Sequence, residues 1–500
     1  MADPLTSMNE LPIAIESKDL IGLLLFLIGT AAVSAALLLW PKLRSVAFFV
    51  IVAGLVASSW ANLDLNIYSA YWYRGSTRGF EINVFDVLGL GLLFSLLVSP
   101  QPGELRRFWP ASLGLMLVFL AYCVGSTAFA EPFIFGLFEV SKLLRGIVLF
   151  VATALFVRRE RDLSVLVLAL AAAVLVETLL ALRARIFLNI YRPGGTLDHP
   201  NSLSMFLCLV TPVLVAGACS TLGPWVRRIC WAAVLGAAVT MVLTLSRAGL
   251  PVFLLATGGA FAWCASWRPT PGRLAAGVVA LVAVSGVVMK SWPLLVERFG
   301  QATLQEEYFD SPGETRGYYF RQADVILDEH PFGVGLNNWS YWVSKQYGKP
   351  LGMNYQNYDD ILYAPPQDLL YQYRYAAPAH NLGVLTAAEL GWAGLALLLV
   401  LWLRWLTMGA SFLFSRRPDA RHRIGVGVAF GILGVFVHSF TEWTFRQTQI
   451  FQMFHVLIGV LAALIALRQL EAASAEQTET AEDWDAEPLG EPATVTALRN

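Results

Sequence analysis

The chain has 500 residues, of which 56% are hydrophobic and only 14% charged, with a mean hydropathy of +0.58 and a net charge of −1. A soluble globular domain is nearer a quarter charged, so this balance excludes an ordinary soluble enzyme and points to a chain that crosses a bilayer repeatedly. Five cysteines, Cys123, Cys208, Cys219, Cys230 and Cys264, lie in apolar runs with no CxxC or Cys/His metal spacing, and read as small core hydrophobes.

In chain order, the first 19 residues are acidic, with Asp3, Glu10, Glu16 and Asp19 against Lys18. The run Leu20–Trp40 is long enough to stay in the membrane, so no cleavable signal peptide is expected. Further apolar runs predict about 12–13 transmembrane helices in an all-α polytopic protein, starting near Leu20, Val46, Asn83, Ala111, Phe138, Asp162, Ser202, Trp225, Ala248, Gly272, His380, Ile424 and Thr448. The chain then divides into an N-terminal segment (1–19), ten spans (20–291), a large partly helical outer loop (292–379), three spans (380–467) and an acidic tail (468–500). Rich in Ala, Glu and Thr, the tail is expected to be disordered.

Positive charge orients the helices. Lys42/Arg44, Arg106/Arg107, Arg158/Arg159/Arg161, Arg227/Arg228, Arg268/Arg273 and Arg404/Arg416/Arg417/Arg421/Arg423 fall in alternate connections, which assigns them to the cytoplasm. The same parity puts the N-terminus and the 292–379 loop outside and the C-terminal tail inside. Within that loop, "SPGE" at Ser311–Glu314 reads as a helix start, and Tyr319, Ala323, Ile326 and Leu327 share one face of the helix that follows. Pro331, Gly333 and Gly335 end it. Tyr355, Tyr358, Tyr363, Tyr371, Tyr373 and Tyr375 crowd around Pro365–Pro366, either as loop packing or as flat surfaces for sugar rings.

The arginines that break the charge pattern are the informative ones. Arg192 opens "RPGGTLDHPN", a polar interruption between two membrane-spanning runs. Arg247, in "LTLSRAGLP", sits at an outer junction where a helix begins, and Arg316 opens the helix of the outer loop with Arg321 about a turn later. Lys142 and Arg145 lie in the outer part of a span. Cations at such positions face a partner or a wet cavity, or else snorkel toward interfacial water. Convergent guanidiniums suit a diphosphate, because each presents a planar fork of donors, and a helix N-terminus adds to anion affinity.

His380, in "PAHNLG", stands where an outer helix starts. The positive end of the helix dipole disfavours imidazolium, which suits a general base near neutral pH; the competing reading is that His380 or Asn381 caps the helix. His438 and Glu442 form either a supporting pair or, the favoured reading, a local hydrogen bond. His199 binds phosphate or shapes its turn, and Glu139 and Glu177 are weaker acid/base candidates. There is no Walker loop, Rossmann glycine pattern or HExxH, and carboxylates do not cluster for a divalent metal. Neither metal catalysis nor any cofactor is expected, and no nucleic-acid partner.

Four stretches, "RPGGTLDHPNSLS", "LSRAGL", "ETRGYYFRQADVILDEHPFGVGLNNW" and "AHNLGVLTAAELGWAGL", resemble in content and order the bacterial O-antigen ligase and polymerase superfamily of inner-membrane proteins, over roughly Asp162–Leu395. The resemblance implies a GT-C-like, metal-independent glycan transferase working at the periplasmic face. Its donor would be a glycan on undecaprenyl diphosphate, held by Arg192, Arg247 and Arg316, with His380 as the catalytic base. His199, Asn381, Arg145, Arg321 and Glu442 are possible supporting residues. The acceptor would be lipid A–core for an O-antigen ligase, the reading slightly preferred, or a second lipid-linked glycan for a polysaccharide polymerase. A transporter or flippase is the alternative of a different class; it predicts two related halves with mid-membrane ionisable groups, which the sequence does not display.

Overall fold

The computed structural model describes residues 17–61, 63–70, 73–99, 109–197, 199–265, 271–300, 306, 316–353, 355, 375–414 and 417–486, with backbone alone at 66, across most of 271–284 and at 474–486. Several residues singled out from the sequence lie outside this set: Asp3, Glu10, Glu16, Arg106, Arg107, Asp198, Arg268, the Ser311–Glu314 helix start, Tyr358, Tyr363, Tyr371, Tyr373 and Arg416.

All thirteen expected helices form. They are α1 (Ser17–Leu39), α2 (Leu43–Gly54), α3 (Val84–Val98), α4 (Leu113–Ala128), α5 (Phe133–Phe156), α6 (Glu160–Ile186), α7 (Pro200–Cys219), α8 (Pro224–Thr244), α9 (Gly249–Cys264) and α10 (Pro271–Gly300). After the loop helix α11 (Arg316–Glu329) and the single turn α12 (Trp339–Trp342) come α13 (Leu382–Ala410), α14 (Ala420–His438) and α15 (Thr448–Ala486). Among the described residues, seven helices are long and apolar enough to cross a membrane: α1, α6, α7, α8, α13, α14 and the Thr448–Ala473 part of α15. The apolar helices α3, α4 and α9, and α2 with the short 3₁₀ turn that extends it, are shorter. The protein is an all-α polytopic membrane protein.

Its interior is built around α7, in which every residue from Ser202 to Ala218 is buried. Helix α14 closes tightly onto it because glycines face it at i, i+4 spacing. A Cβ on Gly427 would lie 2.7 Å from the Ala216 Cβ and 2.8 Å from the Pro212 carbonyl, and one on Gly431 would collide with the Leu209 carbonyl. Small residues at such a spacing let helix backbones approach where lipid offers no hydrophobic drive for association. At the other extreme, α1 exposes Leu20, Ile21, Leu24, Leu25, Leu27 and Ile28, as a peripheral span in lipid should.

Two features depart from expectation. A two-stranded antiparallel hairpin, β1 (Asp64–Ser69) and β2 (Gly79–Asn83), pairs Asp64 with Asn83 and Asn66 with Glu81 between α2 and α3. Strands of five or six residues with mixed polarity carry too little alternation to stand out beside apolar helices. Gly22 of α1 packs near Leu65 and Ile67 of β1, so α1 begins at the end of the molecule that carries the hairpin. The second departure is the tail: α15 continues past Arg468 to Ala486, where disorder was expected. Ala and Glu are strong helix formers, and an Arg421–Glu471 ion pair ties this extension to α14. Residues 487–500 lie outside the described set.

The segment between α11 and α13 docks through a break in α13. Gly391 has φ 68° and ψ −176°, and Gly333 and Gly335 also have positive φ, a region glycine enters without steric cost. The break leaves carbonyls of α13 available: Ala388 accepts from the Val334 N–H (3.0 Å), Glu389 from Gly335 N–H (2.8 Å) and Leu390 from the Tyr122 hydroxyl (2.7 Å). The "HPFGVGLNN" stretch is thereby sewn to the helix that starts just after His380.

Candidate active site

His380 immediately precedes α13, but it is not spent as a cap. Asn381 is the N-cap, its side-chain oxygen accepting from the Val384 N–H at 3.0 Å while its amide donates to the Phe440 carbonyl at 2.7 Å. The His380 ring stays partly exposed (35%) and rests beside Tyr319 of α11, with ring centroids 5.7 Å apart. Its Nδ1 lies 2.8 Å from Oε2 of Glu442, which is only 3% exposed. With Glu442 ionised, Nδ1 carries the proton and donates it to the carboxylate, leaving Nε2 as the free base position.

Glu442 follows α14 in the turn before α15 and gathers the site. Its other oxygen accepts from the Asn201 amide at 2.6 Å and lies 3.4 Å from Arg316 Nη2. Burial alone would raise its pKa; the His380 hydrogen bond and the charges of His380, His438 and Arg316 outweigh it and hold the carboxyl below its ordinary value. The expectation of a local His438–Glu442 hydrogen bond is therefore corrected. The carboxylate turns to His380 and Arg316, and the local bond is only the Glu442 N–H to the His438 carbonyl (3.1 Å).

The arginines converge. Arg316, the first residue of α11, donates through Nε to the Thr441 carbonyl at 3.2 Å. Arg192 donates to the Thr244 carbonyl at 2.9 Å and to the Asn201 side chain at 2.8 Å, so Asn201 bridges Arg192 to Glu442. Burial lowers the Arg192 pKa, and the nearby positive charges of Arg298 and Arg247 lower it further. Arg247 stands one residue before the α9 N-cap, Ala248, in a turn where Leu245 is left-handed and Ser246 Oγ accepts from the Gly249 N–H (3.2 Å). Arg298, near the end of α10, joins this group and was not singled out from the sequence. Clustered guanidiniums of this kind are a suitable bed for a diphosphate.

The "RPGGTLDHPN" stretch is held from below by Glu177 of α6. This buried carboxylate accepts from the Thr196 N–H (2.9 Å) and from the Thr196 hydroxyl, which also reaches the Val56 carbonyl (3.1 Å). Glu177 is therefore a fastener of the loop. His199 is the N-cap of α7, its Nδ1 accepting from the Asn201 N–H at 3.2 Å, and burial pushes its pKa down. It thus shapes the turn that presents Asn201.

Other candidates sit elsewhere. Arg145 pairs with Asp86 at 2.8 Å, in a polar cluster with Gln452, and does not join the His380 group. Arg321 is exposed on α11. Lys142 and Glu139 belong to a sealed network described in the Discussion. Tyr375 is buried against Phe135, and therefore offers no surface to a sugar. Asn201 and Arg298 were missed because a lone Asn in a turn and a lone Arg at a helix end carry no pattern; only folding shows what they meet.

None of the curated proteins compared matches the chain. A family model described as O-antigen ligase matches residues 232–399, which include Arg247, Arg298, Arg316 and His380, while Arg192, Asn201 and Glu442 reach the site from outside that stretch. Over this third of its length the chain is similar to O-antigen ligases.

Proposed function

We propose that the protein is an O-antigen ligase-type glycan transferase of the bacterial inner membrane, with its active site facing the periplasm. The observation that carries this reading is His380 backed by a buried carboxylate and bordered by four arginines. The glycan donor is carried on undecaprenyl diphosphate. Arg192, Arg247 and Arg316 hold the two phosphates, and their fixed forks stabilise the charge that develops as the glycosidic C–O bond breaks.

The acceptor hydroxyl attacks the anomeric carbon on the face opposite the diphosphate, so the configuration inverts. Its proton passes to His380 Nε2, the bonding pair of the broken C–O bond leaves with undecaprenyl diphosphate, and Glu442 stabilises the imidazolium that forms. The diphosphate is already a capable leaving group, so positioning and electrostatics suffice and no metal is required. The acceptor for a ligase is lipid A–core.

Deletion of the gene followed by profiling of lipid-linked and surface glycans tests the reading. Long polymer stranded on undecaprenyl diphosphate is the expected result. Single unpolymerised repeats would reassign the same site to a polysaccharide polymerase, and an unchanged profile would overturn both.

A further inference from the structure

His438, the last residue of α14, is a buried imidazole that the reaction above does not use. It is 0% exposed, and among the described residues neither ring nitrogen forms a hydrogen bond. Its direction follows from the helix period. Gly427, Gly431 and Gly434 lie against α7, and His438 continues their stripe at i+11, i+7 and i+4. The contacts advance toward the start of α7, from Pro212 and Ala216 at Gly427 to Leu209 at Gly431 and Cys208 at Gly434. One turn further, His438 comes level with the first turns of α7, where Ser202 Oγ is likewise buried without a hydrogen bond among the described residues. Next to them, Asn201, the neighbour of Ser202, donates to Glu442, whose N–H closes a helical turn onto the His438 carbonyl at 3.1 Å. A buried imidazole and hydroxyl left unpaired cost stability, so the fold gives something up by keeping them beside the carboxylate that backs His380.

We propose that His438 is a positioning residue that takes over the Glu442 carboxylate when the donor's diphosphate claims Arg316, an inference that rests on the transferase reading above. Arg316 holds Glu442 Oε1 at 3.4 Å, near the outer limit of a hydrogen bond, and donates separately to the Thr441 carbonyl. A diphosphate offers the same guanidinium more charge and a matching pair of oxygens, so it wins that contact. Glu442 then loses one of the cations that keep it ionised. Side chains four residues apart across a helical turn are neighbours, so a His438 N–H replaces Arg316 at Oε1. The other ring nitrogen accepts from the Ser202 hydroxyl, and both unpaired groups are satisfied in this second arrangement. The imidazole stays neutral throughout, donating with one nitrogen and accepting with the other. With Oε1 held by Asn201 and His438, Oε2 stays turned to His380 Nδ1. Donor binding and the orientation of the base are thereby coupled.

A double-mutant cycle on the full-length protein in detergent tests this, with undecaprenyl-diphosphate-linked glycan as donor and lipid A–core or a second lipid-linked glycan as acceptor. His438→Leu and His438→Met keep most of the side-chain bulk and remove both nitrogens. Without donor, at least one of them should melt no lower than wild type, because an apolar group replaces an unpaired polar one. Its kcat should nonetheless fall about tenfold, whereas in a Glu442→Gln background the same substitution should change kcat by less than about twofold, since it acts through that carboxylate. Wild-type kcat in that variant overturns the proposal, as does an equal fall in the Glu442→Gln background. Melting of both variants well below wild type also overturns it, because the imidazole would then be paired before the donor arrives. A His380→Ala protein that still transfers glycan refutes the transferase site itself, whereas these outcomes refute only the part given to His438.

Discussion

Two clusters of charge lie near the same end of the molecule and are built on opposite principles. In the first, Arg446, in the 3₁₀ turn before α15, pairs with Glu139 of α5 (3.0 Å) and Glu389 of α13 (2.6 Å), while Lys142 pairs with Glu139 at 2.7 Å and donates to the Arg446 carbonyl. Thr77 and Ser76 from the hairpin complete Glu139 at 2.8 and 2.9 Å, and the Asn337 N–H completes Glu389 at 2.9 Å. All four charged side chains are at most 8% exposed, and two cations balance two anions. In the second cluster Arg316 pairs with Glu442, Arg192 lies near Arg247 and Arg298, and His380 is a third exposed. Balanced and sealed charge fixes hairpin, α5, α13 and the final turn together. The second cluster can be reached from solvent at His380. Buried cations and carboxylates alone thus do not mark a site; access from solvent does.

The largest effect should come from the open cluster. His380→Ala should cut transfer by about 10³-fold with donor affinity unchanged within about twofold, measured with purified protein and lipid-linked donor. Comparable in free energy but different in kind, Arg446→Met should destabilise the fold by about 3–5 kcal/mol, because Glu139 and Glu389 are left buried with a lone lysine. Thermal melting in detergent reads this, and an Arg446→Met protein that melts like wild type would remove the distinction between the clusters.

Arg316→Ala should weaken donor binding by about 10–100-fold, and Arg316→Lys should recover only part of it, since an ammonium lacks the two-pronged donor geometry. Arg321→Ala, exposed one turn on, serves as the control and should leave donor affinity unaltered.

The smallest effect concerns pH. Glu442 has a folded pKa below its unfolded value, so its stabilising contribution is present above the ordinary carboxylate range and is lost as pH falls through the depressed value. Melting temperature should therefore hold from neutral pH to about pH 5 and decline below about pH 4, and Glu442→Gln should flatten that decline. An equally steep decline in the Glu442→Gln protein would show that the carboxylate is not held by its neighbours.

Much of the architecture was readable from residue order alone. Apolar run length placed the helices, because a span must bury its own backbone polar groups whatever its neighbours do. Arg247, Arg316 and His380 were legible as candidate site residues because charged or titratable groups at span ends are costly and therefore few. What the sequence left open were questions of pairing. Lys142 and Arg145 broke the charge pattern as Arg316 did, with snorkelling or a local ion pair the favoured reading for them, and only the fold set Glu139 and Asp86 against them. His199 and His380 each stood at a helix start; one became a cap, while the other was released because Asn381 caps in its place. Glu442 is remote in sequence from both His380 and Asn201, yet it joins them. Local periodicity and cost are properties of a chain segment, whereas the balance of charge around a side chain depends on helices that meet only when the bundle closes.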